Sequence, residues 1–314
     1  MPILSVQSLA KSFRSGFWPF TPQKTRQIVK NISFEVNAGE IVGFLGPNGA
    51  GKTTTIQMLL GSMTPSAGTI TYFGMPFNTT NRMQILHKIG YASGYEKLPA
   101  RLLVWENLDI VGRIYGMPYA ERIARIKTLL ATFGIKHLYD QETGSLSAGQ
   151  ATRIMLAKAF FAQPTLVLLD EPTASLDPEA AQEVRQFILQ EQKERNPAIL
   201  ITSHNMAEVS ELCNRVLVLK EGAIIANETP EALAQSIAKA HVHLVIDKGI
   251  DALIEYITGM QIPYTLSAHE VEIQIDEHQI ALFLMQLAQR AITYRTISID
   301  KPSLEDYFLS IAKK

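Results

Sequence analysis

Residues 46–54 read GPNGAGKTT and directly follow the apolar run Ile41 to Leu45. They match the pattern G-x-x-x-x-G-K-[ST], whose fixed positions are here Gly46, Gly51, Lys52 and Thr53. Glycines let a loop curl so that several backbone N–H groups point inward, and a helix that starts at Lys52 directs its positive end to the same place. The stretch therefore predicts a strand, a phosphate-binding loop and a helix.

The side chains of this loop have separate expected parts in holding a nucleotide. Lys52 is expected on the terminal phosphates, and Thr53 is expected on a Mg²⁺ ion. The remaining phosphate contacts are expected from the other residues of the loop, which include Asn48, Gly49, Ala50 and Thr54.

A second apolar run, Leu166 to Leu169, ends in Asp170 and Glu171. A buried strand explains the leucines and valine but not the two carboxylates, which need a metal or another cation to be stable there. Asp170 is suited to bind Mg²⁺ through water, and Glu171 is suited to orient and deprotonate an attacking water. The alternative is a strand that simply exits into solvent.

Length and composition narrow the class of protein. The chain has 314 residues, 46% of them apolar and 19% charged, which suits one large and one small globular domain. The formal net charge of −1 and the lack of long charge runs give no indication of a nucleic acid or an anionic membrane as partner. No run approaches the ~18 apolar residues that span a bilayer, so work at a membrane requires another chain to do the spanning.

The order of predicted elements indicates two domains. Strands that alternate with helices predict a parallel sheet with helices on both faces, and residues 82–161 have mostly helical periodicity, which indicates an inserted helical subdomain. Beyond residue 240 the pattern is β-α-β-β-α-β, the split βαβ order. We therefore predict one domain over residues 1–240 and a smaller one over residues 241–314.

The segment LSAGQ, residues 146–150, begins another predicted helix. Ser147 is suited to be its N-cap, and Gly149 lets an anion approach the exposed N–H groups of the first turn. A capped helix start and a second phosphate site use the same chemistry, so these residues alone leave both open.

The combination of motifs is far more specific than any one of them. Together and in their order along the chain, these motifs resemble those of the nucleotide-binding subunit of ATP-binding cassette (ABC) transporters. They are the phosphate loop, LSAGQ, the Asp170-Glu171 pair, Ala174 to Asp177 and Ser203-His204. The ending, Lys301 to Leu309, looks like that of type-2 exporter ATPases with a small C-terminal domain. The resemblance implies an α/β fold, a P-loop NTPase ABC cassette with a mixed sheet core and a helical subdomain, followed by an α+β accessory domain.

The resemblance also implies an activity and partners. It implies ATP hydrolysis with Mg²⁺ in a head-to-tail dimer, formed by two copies or by a paired ATPase subunit, in which Ser147, Gly149 and Gln150 of one subunit contact the ATP held by the other. It implies a transmembrane permease as partner, and hence a cytoplasmic location on the inner face of the cell membrane. By carry-over Phe13 stacks on adenine, His204 touches the γ-phosphate and Asp177 crosses the dimer interface.

One position departs from the family pattern. The family usually has Gln, sometimes Glu, in the loop after the strand Ile89 to Tyr91, where that side chain helps to hold Mg²⁺; here the aligned residue is Gly94. Glycine carries no ligand, so either Glu96 or water is expected to complete the metal shell.

Two other functions compete with a transporter subunit. A soluble ABC ATPase acting on ribosomes or DNA usually has two cassettes or basic arms, which this sequence lacks, and a regulatory protein with a decayed ATPase conflicts with the intact Lys52, Asp170, Glu171 and His204. The aromatic segment within residues 14–27 is not explained by the cassette; it is either a solvated loop or, as we hypothesise, a segment that folds near the adenine edge of the site or against the membrane partner.

Overall fold

The computed structural model describes residues 1–15, 24–94, 96–174, 176–236, 239–300 and 302–312. The chain divides into two compact units, Met1–Thr229 and Pro230–Lys314. The centre of the aromatic segment, residues 16–23, lies outside the described residues, and so do Ser175 and Lys301 of the motifs quoted above. Within the described residues, no helix is both long enough and apolar enough to cross a membrane.

The first unit alternates strands and helices along most of its length. In chain order its elements are β1 (Leu4–Ser15), β2 (Lys24–Val36), β3 (Ile41–Leu45), α1 (Lys52–Leu59), β4 (Ala67–Tyr72), β5 (Met75–Pro76), α2 (Arg82–Leu86), β6 (Ile89–Ser93), α3 (Val104–Ile114), α4 (Tyr119–Thr132), α5 (Ala148–Ala159), β7 (Leu166–Asp170), α6 (Pro178–Arg195), β8 (Ala198–Thr202), α7 (Met206–Leu212), β9 (Arg215–Lys220) and β10 (Ala223–Glu228). The mostly helical periodicity of residues 82–161 corresponds to α2 to α5, with β6 between the first two.

Two sheets form this unit. The larger has the strand order β10-β9-β3-β8-β7-β6, in which only β10 runs antiparallel to its neighbour, and the smaller has the antiparallel order β2-β1-β4-β5. The predicted parallel sheet is therefore found, with a mixed edge. Because β8 lies between β3 and β7, the loops that follow these three strands emerge side by side at one edge of the sheet.

The core of this unit lies between its two sheets. Every residue of β3, β7 and β8 is buried, as expected for strands covered on both faces. Phe44 and Leu168 pack in one cluster with Leu4 and Val29 of the smaller sheet, and all four are fully buried. Each such side chain contributes about 1.5–3 kcal/mol through its removal from water, so this core holds the site-bearing strands rigidly.

The second unit has the predicted β-α-β-β-α-β order with a helix at each end. Its elements are α8 (Pro230–Gln235), β11 (Lys239–Lys248), α9 (Ile250–Gly259), β12 (Tyr264–Ser267), β13 (Glu270–Asp276), α10 (Ile280–Gln289), β14 (Thr293–Asp300) and α11 (Leu304–Ala312). The sheet is antiparallel with the order β12-β13-β11-β14. One face packs on α9 and α10, where Val242, Leu253, Ile273 and Phe283 share a core.

The first unit ends at Thr229, eleven residues before the boundary predicted at residue 240. The predicted helix over residues 230–240 ends at Gln235, and β11 already begins at Lys239. Ala240 belongs to the strand because it points into the core with Val242 and Leu244, two and four residues on. The roles of the two units as ATPase and accessory domain remain predictions.

A chain that ends at Thr229 is expected to fold and to bind ATP. The first unit has an apolar core of its own, and the phosphate loop, Asp170, Glu171 and His204 all precede residue 229. The measurement is urea unfolding of the truncated chain beside fluorescence titration with a labelled ATP analogue, with the full chain as control. A cooperative unfolding transition without nucleotide binding would show that the site needs the second unit.

Candidate functional site

The phosphate loop begins where β3 ends at the crowded edge of the sheet. Gly51 immediately before α1 has φ +107°, a left-handed conformation that residues with a side chain rarely adopt. A Cβ at this position would also lie 3.0 Å from the carbonyl oxygen of Ile28. The glycine is thus required both by the turn and by the close approach of β2, which fixes where the loop meets the helix.

Lys52 lies inside the loop. Its Nζ donates hydrogen bonds to the carbonyl oxygens of Gly46 at 2.6 Å and Pro47 at 3.4 Å. Burial lowers the pKa of this ammonium, while the negative charges of Glu171 and Asp170 oppose the shift. A buried cation surrounded by backbone carbonyls and two carboxylates is suited to attract the phosphates of a nucleotide.

A threonine of β8 binds the two acids that end β7. The Thr202 hydroxyl donates to Asp170 Oδ1 at 2.6 Å, and its oxygen accepts from the backbone N–H of Glu171 at 3.0 Å. Burial raises the pKa of Asp170, as does the charge of Glu171, while the hydrogen bond from Thr202 and the charge of Lys52 oppose the rise. The carboxylate therefore gains from any further cation, which suits an oxygen ligand of Mg²⁺.

Glu171 is turned away from the strand toward His204. Its φ of +53° is unusual for a residue with a side chain, and its carboxyl group is almost fully buried. The Nε2 of His204 lies 2.5 Å from Oε1 of Glu171, and the histidine side chain is 47% exposed. A carboxylate and an imidazole in close contact at a cleft can accept and pass on the proton of a water.

One cleft of about 800 Å³ brings most of the predicted residues together. Its walls include Phe13, every residue from 48 to 54, Glu171 and His204. Phe13 is 42% exposed, so its ring is available for stacking on a planar base. Arg26, paired with Phe13 across β1 and β2, and Ile28 also line this cleft; Arg26 belongs to the segment within residues 14–27 noted above, whereas sequence reasoning did not identify Ile28.

The LSAGQ segment is not among the residues that line this cleft. Ser147 is the N-cap of α5, as predicted: its hydroxyl accepts from the N–H of Gln150 at 3.2 Å, and the Gln150 side chain accepts from the N–H of Ser147 at 3.0 Å. A Cβ at Gly149 would meet only Leu176, at 3.7 Å. The contact of these residues with ATP thus remains a prediction that depends on a second subunit.

Asp177 has a structural part within its own chain. It is the N-cap of α6 and accepts from the N–H of Ala180 at 2.9 Å. This hydrogen bond holds the pKa of its carboxyl group below the ordinary value. Its place at a dimer interface stays a prediction.

Gly94 lies against the end of β7 and the residue that follows it, in very close backbone contact. Its N–H donates to the carbonyl oxygen of Asp170 at 3.0 Å, and a Cβ would lie only 2.4 Å from the carbonyl oxygen of Glu171. A side chain at this position therefore requires a shift of the backbone that carries Glu171. Glu96, the alternative ligand suggested by the sequence, forms an ion pair of 3.1 Å with Lys158 of α5 and is not among the residues lining the cleft.

Sequence reasoning missed Glu208, which joins two loops of the site. This residue of α7 is 1% exposed and accepts hydrogen bonds from the hydroxyls of Thr173, at 2.9 Å, and Ser203. Burial raises the pKa of its carboxyl group, whereas both hydroxyls oppose the rise. The one available signal was Asn205 three residues earlier, because that pair looks like a helix cap, and Asn205 does cap the N–H of Glu208.

Comparison with known proteins agrees with this geometry. Residues 29–174 match the family model described as ABC transporter. A Nod factor export ATP-binding protein I of Burkholderia lata is 41% identical over 213 residues, which are 67% of this chain and 68% of the relative. The lipopolysaccharide export system ATP-binding protein LptB of Haemophilus influenzae is 36% identical over 248 residues, which are 78% of this chain and 98% of the relative.

A solved structure shares the fold. The structure of CbiO1 from Clostridium perfringens, described as part of the ABC transporter complex cbiONQ, is 29% identical to this chain. It superposes with a TM-score of 0.63 over 74% of this chain and 90% of its own.

Substitution of Gly94 by alanine is expected to destabilise the protein and to slow ATP turnover. The new Cβ displaces the backbone of Glu171, at an expected loss of about 1–3 kcal/mol in the free energy of unfolding. The measurements are urea unfolding and steady-state ATPase activity. Gly259→Ala is the control, since no atom lies within 4 Å of that Cβ and the residue ends a helix. Equal stability and turnover in G94A and the wild type would contradict the packing described.

Glu208→Ala is expected to lower the free energy of unfolding by about 1–3 kcal/mol, because the buried Ser203 hydroxyl loses the acceptor of its hydrogen bond, whereas Thr173 is only partly buried. Urea unfolding measures the loss. Glu211→Ala is the matched control on the same helix, because Glu211 forms only a partly exposed ion pair with Arg185, and such pairs contribute about 0–1 kcal/mol.

The pH dependence of Glu208→Gln provides a second readout. In the folded protein the pKa of Glu208 is raised above its ordinary value of 4.5, so the folded state binds this proton more strongly than the unfolded state does. The stability that proton binding contributes is present below pH 4.5 and is lost as the pH rises from 4.5 through the raised pKa. The wild type should therefore lose stability over that range relative to the glutamine variant. Parallel pH profiles of the two proteins would contradict the assignment.

Proposed function

Because this chain belongs to the ABC transporter family of ATP-binding subunits, we propose that it hydrolyses ATP to drive a separate membrane-spanning exporter. The observation that carries the proposal is the cleft lined both by the phosphate loop and by Glu171 and His204, whose side chains lie 2.5 Å apart. The relatives from Burkholderia lata and Haemophilus influenzae are both described as export proteins. Neither alternative function, in ribosomes or in regulation, is favoured by a feature of the site.

Different residues of the cleft bind the base, bind the phosphates and act on the attacking water. Phe13 stacks on adenine, Lys52 and the available backbone N–H groups of residues 46–54 bind the phosphates, and the buried charge of Lys52 stabilises the negative charge on the phosphoryl oxygens in the transition state. Glu171 accepts the proton of the attacking water. His204 holds the Glu171 carboxylate through the 2.5 Å contact and lies where the γ-phosphate enters.

Thr53 and Asp170 fit a Mg²⁺ ion. Both residues offer hard oxygen ligands. Burial and the charge of Glu171 raise the pKa of Asp170, and a bound cation would lower that pKa by stabilising the carboxylate. Bound Mg²⁺ supplies charge neutralisation for the phosphate oxygens. With Gly94 carrying no side chain, we expect water to complete the ligand shell.

The proposed assembly is a head-to-tail dimer with a permease. Ser147, Gly149 and Gln150 at the start of α5 close the ATP site of the second subunit, which is either another copy of this chain or a paired ATPase. CbiO1 is part of a complex with other named components, which supports a separate permease as partner here. The chain then works in the cytoplasm on the inner face of the membrane, and the second unit serves as an accessory domain.

Glu171→Gln is expected to keep ATP binding and to lower turnover about 10²- to 10⁴-fold, because a positioned general base is worth that much. Steady-state ATPase activity with Mg²⁺ measures this loss. With ATP the variant should also elute as a dimer in size-exclusion chromatography, since the bound nucleotide persists.

Glu96→Gln is the matched control for this substitution. It removes the other acid near the loop, which pairs with Lys158 on α5, and should turn over ATP at the wild-type rate. If E171Q hydrolysed ATP as fast as the wild type, or if E96Q alone lost activity, Glu171 would not be the base.

A further inference from the structure

The sheet of the second unit has one face that its helices α9 and α10 do not cover. Residues of β11 alternate strictly, and Val242 and Leu244 are at most 1% exposed in the core shared with those helices. His241 and His243 therefore point to the opposite face, with side chains 20% and 44% exposed. Two imidazoles two residues apart on one strand thus stand side by side, and their ring centroids are 6.5 Å apart.

A carboxylate from the neighbouring strand completes a cluster with the two histidines. Glu272 of β13 is the direct partner of His243 in the register of the sheet. Its Oε1 lies 2.8 Å from Nδ1 of His241 and 3.9 Å from Nε2 of His243. The three ligand atoms all lie within 4.8 Å of one another, and within the described residues no other such group of three is found.

Two further acids surround this cluster. Oδ2 of Asp300, at the end of β14, lies 3.4 Å from Nε2 of His243. Oδ1 of Asp306, on α11, lies 3.4 Å from Nε2 of His241. The other oxygen of Asp306 accepts from the N–H and hydroxyl of Ser303, at 2.8 and 2.7 Å, so the carboxylate is fixed with Oδ1 toward the ring.

We propose that His241, His243 and Glu272 bind a divalent transition-metal ion of the zinc type, with Asp300 as a further oxygen ligand. His241 uses Nδ1 toward the metal, while its Nε2–H donates to Asp306. A carboxylate behind a ligating imidazole fixes the tautomer and the orientation of the ring and increases its basicity, and Asp306 is placed for that task.

The ligand chemistry selects the class of ion. Imidazole nitrogens with carboxylate oxygens suit zinc and its neighbours, whereas Mg²⁺ and Ca²⁺ prefer sites made of oxygen alone. Tetrahedral ligands about 2.0–2.1 Å from zinc lie about 3.3 Å apart, so the separations of 2.8 and 3.9 Å need only small side-chain rotations. The partial exposure of His243 and Glu272 leaves room for them.

Bound metal would connect elements that are distant in the sequence. Its ligands come from β11, β13 and β14, and the orienting carboxylate comes from α11, the last helix of the unit. An ion that binds this arrangement and not the unfolded chain stabilises the fold by mass action. The site lies in the second unit and uses none of the residues assigned to ATP, so it is independent of the proposed function.

Zinc binding to the full-length protein tests the site. Protein freed of metal with a chelator is titrated with Zn²⁺ in competition with a chromophoric zinc indicator, without nucleotide. We expect one high-affinity ion per chain that is absent in the double variant His241→Ala/His243→Ala. Asp306→Asn should retain the ion with a dissociation constant about 10- to 100-fold higher, as expected when an orienting partner is lost.

His269→Ala is the matched control, because His269 is an exposed histidine of the same unit in the turn between β12 and β13. It should bind zinc like the wild type, and His204→Ala should do so too, which separates this site from the ATP cleft. Co²⁺ in place of Zn²⁺ should give the visible absorption of tetrahedral coordination in the wild type and not in the double variant. Circular dichroism verifies that each variant is folded.

Two results would overturn the proposal. One is equal zinc stoichiometry and affinity in the wild type and in a folded double variant. The other is displacement of zinc by an equal concentration of Mg²⁺ or Ca²⁺, which would mean that the ligands do not select a transition metal.

Discussion

The hydroxyl group of Thr202 holds the catalytic edge of this protein together. It donates to the carboxylate of Asp170 and accepts from the N–H of Glu171, which also donates to the carbonyl oxygen of Thr202 at 3.1 Å, and Glu171 has a left-handed backbone conformation at this point. That conformation aims the Glu171 side chain at His204 and brings its carbonyl oxygen against Gly94. The proposed metal ligand, the proposed base and the close backbone contact at Gly94 thus lie next to one another around Thr202.

The buried charges of the site compensate one another because they are of opposite sign. Lys52, Asp170 and Glu171 are all buried, and the negative charges favour the ammonium that burial would otherwise penalise. Glu208 is compensated in another way, by two hydroxyls rather than by a cation. It thereby ties the loop after β7 to the loop after β8, so that the acids and the histidine are positioned by a common support.

The two units use the same strand geometry for different purposes. In β3 and β7 every residue is buried, and the proposed functional groups lie only at the strand ends, with Asp170 as the last residue of β7 and the phosphate loop after β3. In β11 alternate residues are buried, and the remaining face is free to present His241 and His243. In a sheet whose two faces are covered, functional side chains can lie only at the edge where the strands end. In a sheet with one face covered by helices, metal-ligating side chains can also lie along the strands on the other face.

The sequence by itself determined the features that depend on neighbouring residues: the phosphate loop of residues 46–54, the two acids after β7, the capping box at Ser147 and the β-α-β-β-α-β order. Tertiary structure alone decided which of these meet. The strand order places β8 between β3 and β7, and strand pairing alone brings Arg26 beside Phe13 or His243 beside Glu272. The physical reason is that hydrogen bonding between strands joins residues far apart in the chain. The local periodicity of one strand therefore does not indicate which strand pairs with it.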